Sequence, residues 1–297
     1  MKKFLMPLFV FCLSCELFAG EWNFNSTLGL QLTPKNKSKT VYTEGENYFA
    51  EISGINVPAP YGQFVTNYKI PLNFGESIVF QDANVTFSIE LNLTPVTYEN
   101  QFIIYFSPSP VLTFSLESVA GTGWTLFGNS GLAKYNGLTD SYDALTPFKD
   151  WKYSFACKSE FQFDFGFLIP GEWTHVLTKA SYTVRYEACS EAKDYELWSV
   201  IGSETVNGLK YSATFVLGYI LPFKLNMIAV AANIKGYFFY SDFVEISFAL
   251  QSVVKLSEKN ELRIGAVIPG RKNHSLKNVS AREWYFNGVS IEWKHVF

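Results

Sequence analysis

The sequence predicts an all-β chain, a single transmembrane antiparallel up-and-down β-barrel of about twelve strands, with ten and fourteen as the limits. Three observations carry that reading. Apolar and polar residues alternate along most of the chain after residue 20, which is the strand signal. Several alternating stretches last roughly ten residues, the length of a tilted membrane strand, where soluble sandwich strands run about five or six. Aromatic residues make up 18% of the chain, more than an ordinary soluble surface carries. Hydrophobic residues at 48% exclude a disordered or collagen-like chain. With 24 Lys and Arg against 27 Asp and Glu, the net charge of −3 leaves no basic excess for a phosphate backbone. No nucleic-acid partner is expected.

The first element is not part of the barrel. Met1-Lys2-Lys3, the apolar run Phe4 to Leu13 and the small residues Ala19-Gly20 follow the order of a secretory signal peptide. The run is too short to span a bilayer. Residues 1–20 are therefore assigned to a leader cleaved after Ala19 or Gly20, and residues 21–297 to one barrel domain. Lipidation of Cys15 is the alternative, against which Cys12 stands where such motifs carry Leu.

Strands are expected near 22–33, 64–74, 84–94, 98–107, 110–120, 155–168, 172–187, 208–220, 224–235, 240–254, 260–268 and 284–297. Val85, Phe87, Ile89, Leu91 and Leu93 share one face, and Thr86, Ser88, Glu90, Asn92 and Thr94 the other. From 155 to 168, Phe155, Phe161, Phe163, Phe165 and Phe167 oppose Lys158, Glu160, Gln162 and Asp164, with Phe163 expected near the bilayer midplane. Segments 47–56 and 194–203 are alternative strands. Starting from inside, the short connections at 107–110, 169–171, 221–223 and 257–260 fall on the periplasmic side. The long stretches 34–63, 121–154, 188–207 and 269–283 fall outside, the usual arrangement in bacterial barrels.

The last segment, Gly288 to Phe297, alternates with Val289, Ile291, Trp293 and Phe297 on one face. It resembles the C-terminal signal of bacterial outer-membrane barrel proteins, and His295 departs from that pattern, which favours an aromatic or aliphatic residue there. The resemblance implies an outer-membrane destination, with the barrel insertion machinery and outer-membrane lipid as partners. Leu93-Thr94-Pro95-Val96, Phe106-Ser107-Pro108-Ser109-Pro110 and Gly121-Thr122-Gly123-Trp124 are also similar to a family of uncharacterised spirochaetal outer-membrane barrels. That likeness covers mainly residues 64–124 and implies no known activity.

The polar faces collect Glu90, Glu117, Lys158, Glu160, Asp164, His175, Lys179, Arg185, Lys210, Glu245, Arg263 and Glu292 as candidates to line the lumen, with Lys294 beside them. Mixed signs admit two functions. One is a passive channel for small hydrophilic solutes. The other is a closed barrel, filled by salt bridges, whose loops serve a structural or adhesive role. Cys157 and Cys189 are a candidate disulfide in an oxidising compartment. Counting from the 169–171 turn puts Cys157 opposite a residue near Val184, about five positions from Cys189, so the alternative is two free thiols. His175, His274 and His295 lack metal-ligand spacing, no Gly-x-Ser-x-Gly elbow occurs, and neither a metal, a cofactor nor an enzymatic activity is expected, a membrane hydrolase-type barrel being the exception the fold allows. Trp22, Tyr68, Trp173, Tyr186, Tyr237 and Trp293 fall near strand ends, as interfacial girdles would.

Overall fold

Alternating aromatic or branched residues and small polar ones suit a pleated sheet that is apolar on one face and wet on the other. All twelve expected segments form strands of one closed antiparallel barrel. The computed structural model describes residues 20–297 except 38–44, 57, 75–81, 140, 170 and 273–281. Residues 1–19 of the expected leader, with Cys12 and Cys15, and also His274 and Pro170, lie outside the described residues.

The staves are β1 (Glu21–Leu32), β2 (Ala59–Pro71), β3 (Asn84–Leu93), β4 (Thr97–Ser109), β5 (Leu112–Gly123) and β6 (Lys152–Asp164). They continue as β7 (Val176–Cys189), β8 (Gly208–Ile220), β9 (Leu225–Tyr237), β10 (Tyr240–Lys255), β11 (Asn260–Lys272) and β12 (Gly288–Val296). Each pairs with its sequence neighbours, and β12 closes the cylinder on β1 with Leu28 opposite Trp293. Closure leaves no open sheet edge, the condition for crossing lipid with strands.

Register sorts every stave into two sets. One contains Leu28, Phe64, Ile89, Phe102, Leu116, Phe155, Phe215, Leu250 and Ile291, all large, apolar and exposed. These form an outward belt that only lipid would cover. The other set faces the axis and contains the charged residues and most of the amides. Gly29 lies on this inner face, where the Tyr61 ring covers it; a Cβ there would stand 2.2 Å from the ring. The Tyr61 hydroxyl, so placed, donates to Glu292 at 2.6 Å.

Several boundaries differ from expectation. β2 begins at Ala59 and β6 at Lys152, so both staves reach further toward the long-loop end. β6 stops at Asp164, because that carboxylate accepts from Gly166 N at 2.9 Å and turns Phe165–Phe167 into a 3-10 segment. Phe165 and Phe167 therefore leave the sheet, and Phe163 sits one residue from the strand end and away from the midplane. Segments 47–56 and 194–203 do contain short strands, but these belong to loops and add no stave.

The long connections fold into two assemblies at one end. Pro34–Lys37 pairs with Glu51–Ile55, and Asn47–Phe49 lies parallel to Arg282–Trp284. On the opposite side Ser141–Ala144, Leu132–Asn136, Leu197–Val200 and Ser203–Val206 form a four-stranded sheet. The start of β1, the end of β12 and the β4–β5, β6–β7, β8–β9 and β10–β11 turns occupy the other rim.

Candidate functional site

The barrel interior is where charge collects. All twelve side chains predicted to line the lumen carry register positions on the inner set, or adjoin it in the case of His175, which follows the β6–β7 turn. Glu160 of β6 bridges Lys158 at 2.7 Å and Lys179 of β7 at 2.6 Å. Arg185 reaches past β6 to Glu117 on β5 at 2.8 Å. Lys210 of β8 pairs with Glu187 and also contacts the Thr205 hydroxyl. Glu245 holds Lys235 at 2.9 Å, and Arg263 holds Glu261 at 3.1 Å. At the terminal rim Asp164 meets His175 Nδ1 at 2.7 Å. Glu90 accepts from Gln63 Nε2 at 3.1 Å and has no cationic partner among the described residues.

The signs are not scattered evenly. β3, β4 and β5 contribute Glu90, Glu99 and Glu117 to the inner face and no cation. β6 to β9 contribute Lys152, Lys158, Lys179, Arg185, Lys210 and Lys235. An acidic arc thus faces a predominantly basic one, joined by the Glu117–Arg185 pair and by Lys152–Glu99 at 2.5 Å. Glu99, Lys152, Glu187 and Lys235 were missed by the alternation pattern. They lie at stave ends, where loop composition begins to blur a period of two.

The four-stranded loop sheet roofs the β6–β9 side of the opening. Its core is Leu132, Cys189, Ala192 and Trp198, the last fully buried. The Asn207 side chain fastens it, accepting from Cys189 N at 2.8 Å and donating to Ala192 O at 2.6 Å. Gly131 lets the roof strand lie against the β3–β4 turn, since a Cβ there would stand 1.9 Å from Val96 O. Outside the membrane-spanning segments, the Lys134 ammonium hydrogen-bonded to Glu196 holds that carboxyl below its ordinary range. Under the roof is a cavity of about 290 Å³ between Ser203, Glu204 and Thr205 above and Lys152, Arg185, Glu187, Lys210 and Lys235 below. Toward the terminal rim a second, polar cavity of about 480 Å³ is lined by Asn23, Asn67, Lys69, Thr86, Tyr105 and Glu160 among others.

Two expectations are corrected. Cys157 and Cys189 are both free. Cys157 pairs with Val184 and points to the lipid side, while Cys189 pairs with Lys152 and is buried. Five strand positions amount to roughly 16 Å, far beyond the roughly 7 Å Cα separation a disulfide tolerates. Tyr237 belongs to no girdle: it is buried and faces inward, with Lys210 Nζ 5.3 Å from its ring centroid. Val289, Ile291 and Trp293 do share the outer face of β12. Phe297 follows that strand, its amide donating to Phe24 O at 3.0 Å. Trp293 Nε1 and His295 Nδ1 both lie against Asn260 Oδ1, at 3.1 and 3.0 Å. Among the described residues no His, Cys, Asp and Glu group has metal-binding geometry.

No protein-family model matches the chain, and no curated protein matches its sequence. Among solved structures, the COG4313 outer membrane channel from Pseudomonas putida F1 aligns over 93% of this chain and 95% of its own. Its TM-score is 0.50 at 9% identity, a likeness of fold. The KdgM porin aligns over 92% of this chain and 99% of its own, with TM-score 0.38 and 9% identity. An anion-selective porin from Comamonas acidovorans aligns over 94% and 100%, with TM-score 0.38 and 8% identity.

Proposed function

We propose that this chain is an outer-membrane channel through which small hydrophilic solutes pass by diffusion. The observation that carries the proposal is the inner wall, where polar or charged groups face the axis on stave after stave while the outer wall is apolar. Water and solutes are the natural contents of such a lumen. The fold shared with the COG4313 channel supports an outer-membrane location, and so does the sequence of residues 1–20. In this reading the long-loop end faces out, the terminal rim faces the periplasm, and Glu90, Glu117, Lys158, Glu160, Lys179 and Arg185 set the field a solute meets. The Val289, Ile291, Trp293 and Phe297 face is what the insertion machinery would recognise.

The loop sheet over part of the mouth favours one rival, a barrel that is closed and displays its loops. Liposome swelling separates the two. The channel reading expects proteoliposomes to admit small neutral solutes at rates that fall steeply with solute size. Swelling no faster than that of empty liposomes, with folded barrel present, would favour the closed barrel.

A further inference from the structure

Four cations converge beneath the roof, and each already holds a carboxylate: Lys152 with Glu99, Arg185 with Glu117, Lys210 with Glu187 and Lys235 with Glu245. The cavity is therefore rich in charge and nearly neutral. An anion entering it would draw a cation from its carboxylate and leave that carboxylate part-buried and unpaired, a costly exchange. A cation meets the mirror-image penalty. A hydroxyl group avoids both, because it donates and accepts at once. It can take a remaining ammonium N–H and offer its own proton to a remaining carboxylate lone pair without breaking any ion pair.

The cavity wall is also held in place. Lys210 is fixed by Glu187 and Thr205, and Asn207 ties down the hairpin that supplies Thr205. A preorganised wall loses less on binding than a mobile one. At about 290 Å³ the volume is at the small end of ligand sites, room for one ring-sized molecule. We propose that this cavity is a binding site for a neutral polyhydroxy solute of monosaccharide size. Its role in transport rests on the channel reading above; the binding itself does not.

The test uses the folded full-length barrel in a detergent without a sugar headgroup. Saturation-transfer NMR follows D-glucose, D-galactose and myo-inositol, with inorganic phosphate titrated as the charged probe. The expected result is saturable binding of at least one polyol, with phosphate failing to displace it. Lys235→Met with Glu245→Gln removes one ammonium donor and its carboxylate partner while leaving the net charge of the cavity unchanged, and should weaken binding about tenfold. Thr205→Val, a smaller change, should weaken it about threefold and serves if the double variant fails to fold. Saturation by none of the three polyols, or tighter binding of phosphate, overturns the proposal. So does polyol binding that a folded variant leaves unchanged. Binding without entry of the same polyol into liposomes would defeat the channel reading alone. Entry at rates set by size alone, without saturable binding, would defeat this inference alone.

Discussion

Ile89 and Glu90 are neighbours in the middle of β3, and their side chains lie on opposite sides of the barrel wall. Arg in place of Ile89 puts a charge into lipid near mid-depth and should lower unfolding stability by about 2–4 kcal/mol in a liposome folding titration. Glu90→Arg meets water, so that barrel should fold almost normally. It also adds positive charge to the acidic arc, and reversal potentials in a salt gradient should shift toward anions. Equal destabilisation by the two changes would mean that the faces are assigned the wrong way round. Phe163→Arg, so close to the strand end, should cost about 0–1 kcal/mol on the same depth scale. The thiols give a further check: denatured, unreduced protein should titrate with both Cys157 and Cys189 free, and loss of both would reveal a disulfide. At this scale the sequence was most informative where a stave is long and regular. Glu90, Glu117, Lys158 and Lys179 could be read from parity alone. Glu99 could not, because Asn100 and Asn92, on opposite faces, are both polar and blur the alternation there.

The elements divide into staves, which are legible, and loops, which are not. A stave announces itself by period two, and its partner is its neighbour in sequence. The roof joins Leu132–Asn136 to Leu197–Val200 across more than sixty residues, and nothing local in either segment specifies that pairing. The Asn207 side chain makes three hydrogen bonds to the backbone of the roof. Asn207→Ala strands the Cys189 amide and the Ala192 carbonyl in a buried setting, about 1–3 kcal/mol for each group left unpaired. The expected outcome is faster proteolytic cutting within 190–207 and a larger conductance, with the staves still folded. Acid should loosen the same region. The Glu196 carboxyl is held low by Lys134, so that contact contributes fully above the ordinary carboxylate range and is lost as pH falls through the lowered value. Proteolysis at 190–207 should therefore rise on acidification, less so in high salt, where the pair is already screened.

For the whole molecule, closure is the property that makes the rest work. Twelve staves, an apolar exterior and a charged interior follow from one alternation sustained around a ring. That much was readable in the chain, down to the stave count and, to within a residue or so, the partner of Cys157, which is Val184. How far the loops fill the mouth was not, because it depends on contacts made after the ring has closed. Deleting Phe297 should lower the amount of assembled barrel in the outer membrane while leaving export across the inner membrane intact. Unchanged assembly would remove the terminal residue from the insertion signal. Passage of solutes requires an open path through the ring. Single-channel recording of the folded barrel in planar bilayers tests that path most directly. An open path predicts discrete, uniform current steps that grow when residues 197–206 are replaced by a short glycine linker. Silence from inserted barrel, both with the roof in place and with it removed, would contradict it.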